Sequence, residues 1–190
     1  IMSSMCGIAG RINLGSGRVT VAELEAMNQP ILHRGPDDKG SYISKDGKVG
    51  FTHTRLAIVD LSHAGHQPMG YKGRYWIVFN GEIYNFKEER KRLQKDGYKF
   101  ESNTDTEVIL ALYDKYREAC VDRLRGMFAM AIYDARMETL FLSRDRMGVK
   151  PLKYYLDPKV FLFASELKAL VSQPEVKKRP DWLAIHHYLT

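Results

Sequence analysis

Apolar and polar positions along the chain alternate over short runs at both ends and take helical spacing between them. Residues 6–13 predict a strand, closed by the turn Gly15-Ser16-Gly17. Thr20 and Glu23 have capping-box spacing ahead of a helix that reaches about Gln29, where Pro30 interrupts it. A turn-rich stretch follows, His33-Arg34-Gly35-Pro36-Asp37-Asp38. Residues 49–59 read as a strand and 62–70 as a loop. Tyr75-Trp76-Ile77-Val78-Phe79 has the continuous apolar character of a buried strand, broken by Asn80-Gly81 and resumed by Glu82-Ile83-Tyr84. Asn85 starts a charged helix that Gly97 ends, and Thr104 with Glu107 forms a second capping box before a helix through Tyr116. Short strands recur at 127–133, 140–143, 152–155 and 160–163. Ser165 is the expected cap of a short helix over 166–171, and residues 180–190 begin a new apolar helix.

Most connections are too short for parallel crossovers, so the sheets should be largely antiparallel. Two such sheets face to face, each covered by helices, would bury the nearly continuous apolar strands. The expected fold class is therefore α+β, a four-layer αββα sandwich.

Composition changes this picture little. The 190 residues are 44% hydrophobic and suit one large domain or a domain with a tail. No run approaches the ~20 apolar residues of a membrane span, and the apolar start is too short for a signal peptide. The net charge of +6 is dispersed, and its densest run, Lys87-Glu88-Glu89-Arg90-Lys91-Arg92, is mixed in sign like a solvated helix face. Neither nucleic acid nor membrane is an expected partner. Two cysteines suggest no disulfide framework and a reducing, cytoplasmic setting.

Chemistry concentrates on Cys6, in Met5-Cys6-Gly7-Ile8-Ala9-Gly10. If Met5 is the start, its removal leaves a thiol and a free α-amine on one residue. Such an amine titrates at about 7.7–8.0 and can act as base for its own thiol. A small buried hydrophobe is the commoner role of a free cysteine. Asn80-Gly81 reads either as a hairpin turn or as an oxyanion hole built from a side-chain amide and a backbone N–H. Arg55 is either a strand-surface residue or a carboxylate clamp. Asp105 either complements a helix N-terminus or meets a substrate ammonium, and Glu82 offers the same choice. His33, His53, His63 and His66 lack metal-ligand spacing, so no metal site is expected.

Taken in order, five segments resemble the glutaminase domain of class II glutamine amidotransferases, which are N-terminal-nucleophile enzymes. They are the Cys6 segment, His33-Arg34-Gly35-Pro36-Asp37, Arg55-Leu56-Ala57-Ile58-Val59-Asp60, Asn80-Gly81-Glu82-Ile83-Tyr84-Asn85 and Thr104-Asp105-Thr106-Glu107. Two more, Arg144-Asp145-Arg146-Met147-Gly148-Val149-Lys150-Pro151-Leu152 and Phe163-Ala164-Ser165-Glu166-Leu167-Lys168, resemble asparagine synthetases that use glutamine.

The resemblance implies that Cys6 attacks the amide of L-glutamine, with Asn80 and Gly81 holding the oxyanion. It implies that Arg55 grips the α-carboxylate and that Asp105 and Glu82 hold the α-ammonium. Backbone groups near Leu56 and Ile58 would line the pocket. No cofactor is implied for this half-reaction. ATP and Mg²⁺ would serve a synthetase domain that receives the ammonia, and a homodimer is compatible with the resemblance. On this reading 1–5 are a leader or cloning remnant, 6–179 the glutaminase domain and 180–190 the start of an absent synthetase domain.

The departure is that Ile1, Met2, Ser3 and Ser4 precede Met5, which makes the Cys6 nitrogen an amide. The chain as written is therefore expected to be inactive until Cys6 is exposed. Two alternatives stay open: a non-catalytic scaffold of the same fold, and an amidase acting on another amide.

Overall fold

A computed structural model describes residues 5–56 and 65–189. Its first strand, β1 (Gly7–Asn13), lies inside a five-stranded sheet with β2 (Asp38–Ile43), β3 (Val49–Arg55), β8 (Lys153–Leu156) and β9 (Val160–Ala164), in the order β2-β3-β1-β9-β8. A second sheet has the order β4-β5-β6-β7, from β4 (Met69–Tyr71), β5 (Tyr75–Ile83), β6 (Gly126–Asp134) and β7 (Thr139–Arg144). Every neighbouring pair of these strands is antiparallel.

Three apolar clusters stack through the molecule and define four layers. Helix α1 (Val21–Asn28), the 3₁₀ segment after it (Gln29–Arg34) and short helix α4 (Leu167–Leu170) cover one face of the first sheet, through Met27, Ile31, Ala169 and Leu170 on Ala9, Leu162 and Ala164. Between the sheets lie Ile8, Phe51 and Phe163 against Val78, Ala129, Ala131 and Tyr133. Beyond the second sheet, α2 (Phe86–Lys95) and α3 (Asp105–Tyr116) pack on Tyr75, Ile77, Phe79 and Ile83. The period-2 alternation of a strand produces this division in β5: odd positions face the helices, and Val78 with its even neighbours faces the other sheet. Burial on both faces also explains why all seven residues of β3 are buried although five are polar or glycine.

Local chemistry sets the helix starts. Thr20 accepts the Glu23 N–H while the Glu23 carboxylate accepts the Thr20 N–H, so the capping box before α1 is complete. At α3, Thr104 accepts the Glu107 N–H, but the Glu107 carboxylate accepts the N–H groups of Glu101 and Ser102 instead. Pro30 does not end the helical path; it opens a 3₁₀ segment, Gln29–Arg34, where its missing N–H costs nothing. Ser165 does not cap α4. Its hydroxyl accepts the Ile8 N–H at 3.0 Å, and the cap position falls on Glu166.

The Asn80-Gly81 pair is not a turn. Strand β5 runs unbroken through it, with Asn80 opposite Ala129 and Gly81 opposite Phe128. Glycine is required at 81 by close approach: a Cβ there would overlap the Met127 carbonyl oxygen and sit 2.7 Å from Phe128 Cα. Gly81→Ala should therefore destabilise the fold by about 1–3 kcal/mol. Urea unfolding of the variant checks this, and an unchanged midpoint would refute the close approach. Helix α5 (Trp182–Leu189) buries none of its side chains. No helix among the described residues is long and apolar enough to cross a membrane.

Candidate active site

The pleat that turns Ile8 toward the other sheet also sets Cys6, two residues earlier, at the rim of the inter-sheet core. Arg34 fixes the entry. Its Nε donates to the Cys6 carbonyl at 3.0 Å, its carbonyl accepts the Met5 N–H at 3.0 Å, and its Nη1 pairs with Glu166 at 2.9 Å. The Cys6 Sγ accepts the Leu56 N–H at 3.4 Å and lies 3.6 Å from the Leu56 carbonyl.

Burial pushes the Cys6 thiol pKa up. The Leu56 N–H and the charges of Arg55 and Lys150 pull it down, Asp105 pushes it up again, and the net direction is upward. The thiol is thus protonated near neutral pH and needs a base before it can attack.

A cavity of about 440 Å³ opens beside Cys6. Its lining includes Arg55, Leu56, Asn80, Gly81, Glu82, Asp105 and Lys150. Seven of the eight residues expected at the site thus line one cavity, and the eighth, Ile58, lies outside the described residues, as does His63. A larger cleft, about 630 Å³, is lined by Tyr71, Lys72, Tyr98 and Lys99 among others. It has no cysteine, so volume alone points away from the candidate nucleophile.

Two donors in the Cys6 cavity stand without acceptors among the described residues. Asn80 is 1% exposed, and its Nδ2 has no hydrogen-bond partner among the described residues. An orphaned buried amide is costly unless something else uses it. The second is the Gly81 N–H. Strand β4 pairs only with Tyr75, Trp76 and Ile77, so the edge of β5 is open beyond Ile77. Along that edge the Phe79 N–H donates to Gln67 Oε1 at 2.7 Å and the Ile83 N–H to Asp105 Oδ2 at 3.0 Å. Ladder parity turns the intervening Gly81 N–H the same way. The opposite residue agrees: the backbone of Phe128 is engaged on its far side by Asp145, through N–H to Oδ2 and carbonyl to N–H.

The charged wall is built from separate elements. Arg55 ends β3 and is 8% exposed. Gly65 packs so closely on its guanidinium that a Cβ would sit 2.7 Å from Arg55 Cζ. Asp105 is the first residue of α3 and is 5% exposed. Burial raises its pKa; the N–H groups of Ile83 and Thr106 work against that, and Glu82 adds to it. A cation placed beside this buried carboxyl would stabilise its charge, as it would that of neighbouring Glu82, which is itself exposed.

Sequence reasoning gave no role to Arg34, Gln67 or Lys150. The first and last sit inside motifs already quoted, while the placement of Gln67 on β5 has no local signal. Among the described residues no cluster of His, Cys, Asp and Glu could hold a metal ion. His53, fully buried, donates from Nε2 to the Phe79 carbonyl, and burial pushes its pKa down to about 4.

Comparison with known proteins adds a family. The sequence model of a family described as "Glutamine amidotransferase domain" matches residues 5–190. The chain is 43% identical to asparagine synthetase (glutamine-hydrolyzing) 3 of Bacillus subtilis, over 93% of this chain and 29% of that protein. It is equally identical to asparagine synthetase (glutamine-hydrolyzing) 1 of the same organism, over 98% of this chain and 29% of that one. The chain spans about a third of the length of the curated relatives it matches. Among solved structures, glutamine phosphoribosylpyrophosphate amidotransferase from B. subtilis has a TM-score of 0.73 at 19% identity, covering 88% of this chain and 43% of that one. The expected four-layer antiparallel architecture is thus the fold of this neighbour.

Proposed function

From the premise that the chain belongs to the glutamine amidotransferase domain family, we propose that it hydrolyses L-glutamine to glutamate and ammonia through a thioester on Cys6. One observation carries the reading: the thiol and two donors without acceptors among the described residues, Asn80 Nδ2 and the Gly81 N–H on the open strand edge, share a cavity with Arg55 and Asp105. With Met5 bonded to it, the Cys6 nitrogen is an amide and is no base. Removal of the residues through Met5 frees the α-amine.

The amine then takes the thiol proton as Sγ attacks the side-chain carbonyl carbon of glutamine. The carbonyl electron pair moves to oxygen, where Asn80 and Gly81 stabilise the charge. The ammonium of Cys6 returns its proton to the leaving nitrogen, ammonia departs and a glutamyl thioester remains. Water, deprotonated by the same amine, cleaves the thioester and releases glutamate. Arg55 pairs with the substrate α-carboxylate, and Asp105 with Glu82 receives the α-ammonium.

The relatives are about three times longer than this chain, which supports a further domain that consumes the ammonia. We assign ATP and Mg²⁺ to such a domain, and aspartate as acceptor rests on the relatives' names alone. The test is glutamate and ammonia release in equal amounts by protein beginning at Cys6. Simple amides without α-charges should not compete; equal turnover of them would contradict the reading. Arg55→Ala should raise KM for glutamine about 10–100-fold with a smaller change in kcat, the loss of a charged hydrogen-bonded contact. Unchanged steady-state kinetics would remove Arg55 from the clamp.

A further inference from the structure

Lys150 is a buried ammonium, 6% exposed, in the wall of the Cys6 cavity. Its Nζ meets no carboxylate among the described residues; it donates to the thioether Sδ of Met5 at 3.0 Å. A thioether is a weak acceptor and compensates poorly for a buried charge.

The loop that delivers this lysine is firmly built. Asp145 accepts the N–H groups of Phe128, Val149 and Lys150 at 3.1, 2.8 and 3.0 Å. Burial opposes the Asp145 charge, but these donors outweigh it and hold its pKa below the ordinary carboxylate value. Arg144 donates to the Lys150 carbonyl at 2.7 Å and to the Gly148 carbonyl, and Gly148 turns the chain at φ +65°. The Lys150 backbone is therefore fixed by groups that do not involve its side chain. On the other side of Cys6, Arg34 Nη2 is buried and lacks a hydrogen-bond partner among the described residues.

Met5 is the residue whose loss the proposed glutaminase requires. Its departure takes away the sulfur that Lys150 touches and leaves the new α-amine on Cys6 in the cavity whose wall carries Lys150. We infer that Lys150 is a positioning residue of the glutaminase reaction: its ammonium, with Arg34, faces the freed Cys6 α-amine and keeps that amine unprotonated near neutral pH. This inference rests on the function proposed above. A like charge disfavours a second cation, so the amine is held as the base that the protonated thiol needs.

The charged groups around this point are Arg34 and Arg55, which act in the same sense, and Glu82, Asp105, Asp145 and the Glu166 carboxylate paired with Arg34 at 2.9 Å, which oppose them. Lys150 is distinguished because its charged group itself touches the side chain that leaves, whereas Arg34 meets Met5 only through its backbone carbonyl. Burial and Arg34 also lower the pKa of Lys150 itself, the direction expected of cations crowded together; Cys6, Glu82 and Asp145 act against this.

The experiment uses protein beginning at Cys6 and compares Lys150→Met, which keeps length and loses charge, with Lys150→Arg, which keeps charge. The readout is kcat/KM for glutamate release against pH, with circular dichroism as the check on folding. Lys150→Met should move the acid limb up by about one pH unit, and Lys150→Arg should leave it in place. A limb in Lys150→Met that superimposes on the unsubstituted protein would overturn the inference. Alkylation of Cys6 by iodoacetamide, located by peptide mass, gives a second profile that needs no turnover. Its midpoint should also rise in Lys150→Met, and an unmoved midpoint overturns the inference as well. Absence of glutamate release from the unsubstituted protein, with the alkylation midpoint still moved, fails the glutaminase reading and leaves the electrostatic role of Lys150 supported.

Discussion

Protein that begins at Cys6 and carries Cys6→Ala is expected to fold normally and to release glutamate at least about 10⁴-fold more slowly than the unsubstituted form. The size of the loss follows from the arrangement. Among the described residues Sγ is the only sulfur-centred nucleophile on the cavity wall, since Met5 and Met127 are thioethers and Cys120 is buried in the far cluster, with a pKa pushed up to about 12 by burial. Nothing else among the cavity residues can form the thioester, so the residual rate would come from binding and the oxyanion donors alone. Folding should survive because Cys6 holds its place through backbone: its carbonyl is fixed by Arg34, and the strand that follows is locked by Ser165 on the N–H and carbonyl of Ile8. Measured release within tenfold of the unsubstituted protein would mean that another group attacks the substrate.

The second large effect belongs to Asn80. Asn80→Ala should lower kcat by about 10²–10³ while KM changes little, because the amide is used when negative charge develops on oxygen and not before. The orphaned Nδ2 makes a further, unusual demand. Removing a buried polar group normally costs stability, yet here the group has no partner to lose among the described residues. Asn80→Ala should therefore unfold at nearly the same urea concentration as the parent. A large stability loss with unchanged kcat would show that Asn80 serves the sheet and not the reaction.

Much of this molecule is legible in its sequence wherever the cause is local. The Thr20–Glu23 cap, the start of α3 at Thr104 and the apolar strands β5 and β6 follow from spacing within a few residues. Features with distant causes were hidden. Strand β2, Asp38-Lys39-Gly40-Ser41-Tyr42-Ile43, is polar and half-exposed at a sheet edge, so it lacks the apolar signature of its partner β3. Asn80-Gly81 carries the strongest short signal for a hairpin, and it fails because Ala129 and Phe128 arrive opposite it to continue the ladder. Ser165 has cap chemistry, but the Ile8 N–H, 157 residues away in sequence, claims its hydroxyl.

The site shows the same division. Cys6, Arg55, Asn80, Gly81, Glu82 and Asp105 could be named from motif order, because each motif carries its own residue types. That they face one cavity comes from the pairing of β1 with β3, of β5 with β6, and from the packing of α3 on β5. Lys150 was present in a quoted motif, but its approach to Met5 depends on the loop after β7 folding back over β6 through Asp145. No spacing rule within the motif announces that contact.

The most direct test of the account is glutamate release from L-glutamine by two proteins that differ only in Met5. One begins at Cys6 and the other retains Met5 ahead of it. Turnover by the first, with at least a hundredfold less from the second, is the expected result, since only the first has a free α-amine on the residue that carries the thiol. Equal release by both, or by neither while both are folded, would contradict the claim that a free Cys6 α-amine drives the chemistry of this cavity.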